Sequence, residues 1–258
     1  MNHFVRCLII GLIFVSQVFC DICFRLSPTL AGEVKLAVAS NFLKPLRVLA
    51  EIFEHDTNTV VRISAGSTGK LYAQIKQGAP FDVFLAANAR EPARLENEGD
   101  TVVGSRFAYA LGRLVLWTRD PKQDPRQLLI DGHYKHIALA NPKLAPYGQA
   151  SLKVLERLGV SEIAHQGLIT CENVAQAHQF AVAGNVELAF LAYSQNIFTK
   201  DLYRGSSWLI PNDYYPKILQ EAVLLKSGAN NQVAINFLKF LKSEPIKRRI
   251  VAFGYNVE

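Results

Sequence analysis

Val60-Val61-Arg62-Ile63-Ser64-Ala65-Gly66-Ser67-Thr68-Gly69-Lys70-Leu71 is the stretch that decides the fold. An apolar run, Val60 to Ser64, turns through small and hydroxyl-bearing residues into a helical pattern that begins near Leu71. A strand that turns straight into a helix leaves the helix's first backbone N–H groups without internal acceptors, facing whatever lies ahead. That is an anion site in outline. It is not a P-loop, because the spacing before Gly69-Lys70 would require Gly at position 64, which is Ser, and Lys70 is followed by Leu71. It is not a nucleophile elbow either, since Ser67 stands in Gly-Ser-Thr-Gly rather than Gly-x-Ser-x-Gly.

The same arrangement occurs upstream. Val34 to Ala39 reads as a short buried strand, Ser40-Asn41 as a helix cap, and Phe42, Leu46, Leu49, Ala50 and Phe53 as one buried helical face with Pro45 in its first turn. The helix after Leu71 ends at Gly78, and Val83 to Ala86 is a third strand before a polar helix over 91–98. Strands alternating with helices predict an α/β fold with mostly parallel sheets and ligands at the carboxyl ends of the strands.

Tyr109 to Arg119 reads as one long strand, with Gly112 inside it as a hinge to a second lobe or as a bulge. The second lobe then takes a loop over 120–131, a strand at Ile137 to Ala140, and a helix through Leu152, Leu155 and Leu158 that stops at Gly159. Glu172-Asn173-Val174 opens a helix reaching Ala183, and Val186 to Tyr193 is a buried strand. Ile218 to Lys226 reads as a strand returning to the first lobe, closed by helices over 232–241 and 245–251. The expected division is lobe 1 at 33–112 with 217–258, and lobe 2 at 113–216. Hinge candidates are Gly112 and the return segment 216–219.

Residues 1–31 differ from the rest. Arg6, an apolar run of 14 residues from Cys7 to Cys20, and Thr29-Leu30-Ala31 have the order of a cleaved signal peptide, and the run is short of the roughly 20 residues a span needs. The mature chain is therefore expected to be exported. A lipid anchor at Cys20 would want a small residue before it, and Phe19 is bulky. Loss of the leader removes two of 28 basic and one of 22 acidic residues, taking the formal charge from +6 to +5, a field suited to solubility and mildly to anions. It also removes Cys7, Cys20 and Cys23, leaving Cys171, which reads as a small core residue with no partner for a disulfide or thiol metal site. His133 and His136 read as a wet loop rather than metal ligands.

Four helix starts then stand out: Ser40-Asn41, Ser67-Thr68, Tyr147-Gly148 and Asn173-Val174. Each alone is an ordinary cap. Two from each lobe are what a cleft closing on a small anion requires.

Ala39-Ser40-Asn41-Phe42, Ser64 through Ile75, Gly78-Ala79-Pro80-Phe81-Asp82-Val83-Phe84, Asn141-Pro142 with Ala145-Pro146-Tyr147-Gly148, and Glu172-Asn173-Val174 carry a resemblance. In wording, order and spacing, most of 33–258 resembles the periplasmic molybdate-binding proteins of ABC importers. The resemblance implies a two-lobed type II periplasmic binding fold that holds molybdate or tungstate by hydroxyls, a side-chain amide and backbone N–H groups. The matching positions are Ser40, Asn41, Ser67, Tyr147 and Val174, the last two through backbone N–H. Some members also use a tyrosine at the place where Ala192 stands; Tyr193 is one residue off and is left out of the set. The implied location is the periplasm, and the implied partners are the oxyanion and an ABC permease. The chain would be a monomer without enzymatic activity, cofactor or nucleic acid, binding the metal only as its oxyanion. A tetrahedral dianion accepts hydrogen bonds only, so a cleft of donors suits it better than a phosphate that keeps a proton. The competing readings are an exported enzyme acting on a small anionic ester and a receptor for another oxyanion such as sulfate.

Overall fold

The computed structural model describes residues 32–199 and 204–257. The signal-peptide reading of 1–31 and the lipid-anchor reading of Cys20 lie outside these residues. The first sheet has the order β2-β1-β3-β10-β4, with β1 at Glu33–Ala39, β2 at Val60–Gly66, β3 at Val83–Leu85, β4 at Phe107–Gly112 and β10 at Ile218–Leu224. The second has the order β7-β6-β8-β5-β9, with β5 at Leu114–Thr118, β6 at Ile137–Ala140, β7 at Leu168–Cys171, β8 at Leu188–Ala192 and β9 at Ser206–Leu209.

In the first sheet β1 runs parallel to β2 and β3 (Leu36 opposite Ile63 and Val83), whereas β10 runs against β3 and β4. In the second, β6 runs parallel to β7 and β8, and β5 runs against β8 and β9. Each sheet is therefore mixed, with one reversed strand. That strand is in each case the first one laid down after the chain crosses from the other sheet.

Burial explains the continuous apolar strands. Val34, Leu36 and Val38 face one apolar cluster and Ala37 the other, all without exposure, as expected of a central strand covered on both faces. β2 is an edge strand and mostly solvated, which suits its Arg62 and Ser64. Helix α1 (Leu43–Thr57) follows a 3₁₀ turn at Ser40–Phe42 and buries Pro45, Leu46, Leu49, Ala50 and Phe53, the face its spacing predicts. Helix α2 is Thr68–Lys76, beginning three residues before Leu71, and α3 is Arg90–Asn97.

The expected long strand over Tyr109 to Arg119 is two strands in two sheets, broken at Arg113. β4 ends at Gly112 opposite Ile218, and β5 starts at Leu114 opposite Ala192. The expected loop over 120–131 contains helix α4 (Pro125–Asp131), started by Asp124, which accepts the Arg126 N–H at 2.9 Å, and by Pro125 in the first turn. Next come α5 (Pro146–Leu158), α6 (Ser161–Gln166) and α7 (Val174–Ala183). The strand expected to reach Tyr193 stops at Ala192, and Tyr193 begins helix α8 (Tyr193–Thr199). Helices α9 (Gln232–Lys242) and α10 (Glu244–Ala252) close the first sheet's side.

Helix α5 packs so closely on the end of β6 that a Cβ on Gly148 would overlap the carbonyl of Ala140, which is backbone and cannot step aside. Gly148→Ala is therefore expected to cost at least about 2 kcal/mol, seen as a fall of several degrees in the thermal unfolding midpoint.

Candidate functional site

Four first turns meet at one small cavity: the 3₁₀ turn at Ser40–Phe42 and the starts of α2, α5 and α7. Its lining includes all five predicted positions, Ser40, Asn41, Ser67, Tyr147 and Val174, and each of them is buried. The space left for the centre of a water-sized sphere is about 10 Å³, roughly one such sphere. Among the described residues no charged side chain lines it.

Each turn presents donors for a local reason. Ser67 is the N-cap of α2, yet its hydroxyl does not cap the helix; the Oγ is buried and hydrogen-bonded to nothing among the described residues. A buried hydroxyl without a partner costs about 1–3 kcal/mol, and Ser67 is one of the residues that line the cavity. Its neighbour Thr68 is spent differently, accepting the Ala87 N–H at 3.1 Å. In α5, Pro146 has no N–H, so Tyr147 supplies the first donor of that helix. In α7 the Asn173 side chain caps Ala175 and Gln176 at 3.0 and 3.2 Å, which leaves the N–H of Val174 for whatever lies in the cavity.

Asn41 departs from the expectation of a ligating side-chain amide. Its Nδ2 donates to Gln220 Oε1 at 2.9 Å and to the Tyr255 hydroxyl at 3.0 Å. Its carbonyl accepts from Tyr255 at 2.9 Å and Ser194 at 3.2 Å. What Asn41 can offer an anion is its backbone N–H in the 3₁₀ turn. Tyr193 is not in the lining; its N–H donates to the Arg113 carbonyl at 2.9 Å and its ring lies under the Arg113 guanidinium.

The sequence reading missed Gln220, which is wholly buried in β10 and joins Asn41, Tyr109 and Tyr147. The available signal was a Gln-Glu pair inside an otherwise apolar strand, where the ladder also shifts register. Contacts across the cleft include the Gly69 N–H to the Leu144 carbonyl at 2.9 Å and Lys70 Nζ to Glu172 Oε1, also 2.9 Å. Lys70 therefore points away from the cavity, to a half-exposed ion pair at its rim.

Other sequence candidates fall elsewhere. Cys171 is buried, with its thiol pushed up to about 11 by desolvation. His133 and His136 are exposed beside Asp131 and Glu187 respectively. Among the described residues no group of three or more His, Cys, Asp or Glu could hold a metal ion, and no helix is long and apolar enough to cross a membrane.

Residues 34–256 match the family model described as bacterial extracellular solute-binding protein. The molybdate-binding protein ModA of Azotobacter vinelandii is 45% identical over 230 residues, 88% of this chain and 91% of its own length. ModA of Rhodobacter capsulatus is 43% identical over 232 residues, 90% and 91% of the two chains. The structure matches the Azotobacter vinelandii periplasmic molybdate-binding protein with a TM-score of 0.83 at 38% identity, covering 87% of this chain and 99% of that one.

Burial raises the hydroxyls of Tyr109, Tyr147 and Tyr255 above their ordinary range, with neighbouring tyrosines adding to the effect at Tyr109 and Tyr147. A raised folded-state value means the folded protein holds these protons while the unfolded chain releases them above about pH 10. Stability is therefore expected to be unaffected by these groups at neutral pH and to fall steeply as pH rises past about 10. Denaturant titrations at increasing pH measure it, and Tyr109→Phe should flatten the decline.

Proposed function

The chain belongs to the bacterial extracellular solute-binding proteins, and from that premise we propose that it captures molybdate, and tungstate with it, in the periplasm and hands the ion to an ABC transporter permease. The observation that carries this reading is the partnerless Ser67 hydroxyl, buried where four first turns meet and no charged side chain intervenes. Such a place rewards a ligand that only accepts hydrogen bonds and carries negative charge. The names of the relatives support the ion, since both ModA proteins are called molybdate-binding.

The ligand set is Ser40 and Ser67 through their hydroxyls and neighbouring N–H groups, with Asn41, Tyr147 and Val174 through backbone N–H. Lobes 33–112 with 217–258 and 113–216 close around the ion as a monomer, bending near Gly112 and 216–219. Helix starts contribute about 0.3–1 kcal/mol each and hydrogen bonds to a charge about 1.5–3. After desolvation and closure, the net is about −8 to −12 kcal/mol, micromolar to nanomolar. An enzymatic role is disfavoured because a serine without a hydrogen-bonded base is not an activated nucleophile.

Calorimetry with molybdate, tungstate, sulfate and phosphate tests the assignment. Heat with molybdate and tungstate is expected; heat with sulfate alone would reassign the ligand, and turnover of a chromogenic phosphate or sulfate ester would restore the enzyme. Ser67→Ala should weaken molybdate binding by about 1–3 kcal/mol while leaving the ligand-free protein at least as stable as before, because the buried hydroxyl has no partner among the described residues and its removal relieves that cost. Lys70→Ala should cost at most about 1 kcal/mol of affinity, and less at high salt, since the pair with Glu172 is half exposed.

A further inference from the structure

Gln220 stands in the middle of the apolar strand β10 with no exposure at all. A buried primary amide must place both donors and its oxygen, and a group left unmet costs more than a made bond returns. Its Oε1 accepts from Asn41 Nδ2 at 2.9 Å and from the Tyr109 hydroxyl at 3.0 Å, and its Nε2 donates to the Tyr147 hydroxyl at 3.3 Å. Asn41 belongs to the 3₁₀ turn beside the first sheet, and Tyr147 to the start of α5 beside the second. One side chain on the return strand thus holds a turn from each side of the cavity.

The crossover is shaped to allow this. Gly112 pairs with Ile218 on the same strand, and a Cβ there would overlap the Tyr147 hydroxyl and come within 2.7 Å of Gln220 Nε2. The missing side chain at 112 leaves the room in which the amide and the phenol meet.

We propose that Gln220 is a positioning residue for oxyanion capture, tying the Ser40-Asn41 turn to the helix start at Tyr147 so that donors from both lobes stay at the spacing of one ion. The proposal rests on the reading of the protein as an oxyanion receptor whose lobes close on the ligand. When the lobes separate, α5 carries Tyr147 away from β10 and the Gln220–Tyr147 bond is lost. The bond therefore favours the closed arrangement and acts on release of the ion. Arrival at an open cleft is set by diffusion and does not depend on it.

Stopped-flow measurements with molybdate on the wild type, Gln220→Met, Tyr147→Phe and the double variant provide the test, with thermal midpoints of the ligand-free proteins beside them. Tyr147→Phe is expected to raise the dissociation rate about tenfold, what one such buried bond is worth, and Gln220→Met, which also takes a partner from Asn41 and Tyr109, at least as much, with the association rate unchanged within about twofold in both. The double variant should release no faster than Gln220→Met, because the one bond that Tyr147→Phe removes is already lost there. Multiplying effects in the double variant, or lowered thermal midpoints with unchanged release, would overturn the positioning role. Should Gln220→Met fail to fold, Tyr147→Phe decides alone: it removes one hydroxyl, and release at the wild-type rate overturns the proposal. A wild type that binds none of molybdate, tungstate and sulfate overturns the receptor reading and this inference together, whereas normal binding with unaltered release in the variants sinks the inference only.

Discussion

A helix cannot use the N–H groups of its own first turn, and the site depends on that constraint. Four first turns end at one cavity, and the local sequence of three of them keeps their donors available: Pro146 moves the first N–H of its helix to Tyr147, Asn173 satisfies the two donors beyond Val174, and Ser67 declines to cap. The cost of leaving those groups unmet, above all the Ser67 hydroxyl, is carried by the folded protein until something that accepts hydrogen bonds arrives. Among the described residues no charged side chain lines the cavity, so any charge placed there would meet helix dipoles rather than side-chain charges.

Around that cavity lies a second layer of hydrogen-bonded polar groups. Asn41, Tyr255 and Ser194 bond one another, Gln220 joins Asn41 to Tyr109 and Tyr147, and the tyrosines remain protonated because burial penalises their ionised forms. A satisfied buried network specifies one arrangement of its parts. The half-exposed Lys70–Glu172 pair at the rim is weak by comparison. The two reversed strands, β5 and β10, belong to the same logic, since each starts where the chain has just changed sheets.

Much of this was legible in the chain itself. The buried face of α1, the strand-to-helix turns at Ser40 and Ser67, and the helix starts at Tyr147 and Val174 depend on residues within about four positions of one another, and that is the range over which caps, helical spacing and strand alternation act. The short helix at 125–131 was legible too, in Asp124-Pro125, and reading it as a loop overlooked an N-cap followed by proline. At Arg113 the chain itself offered Gly112 as a hinge or a bulge but left open which, because Leu-Gly-Arg-Leu-Val-Leu reads as one strand until its two halves find different partners.

The sequence by itself determined which stretches would become strands that turn into helices, and so which residues would offer free donors. Tertiary structure alone decided which donors face one another, that the Asn41 side chain is spent on Gln220 rather than on a ligand, and that Lys70 turns outward to Glu172. The reason is distance along the chain. Asn41 and Gln220 are 179 positions apart, Lys70 and Glu172 are 102, and no periodicity or capping rule reaches across separations that only sheet pairing and close packing bring together.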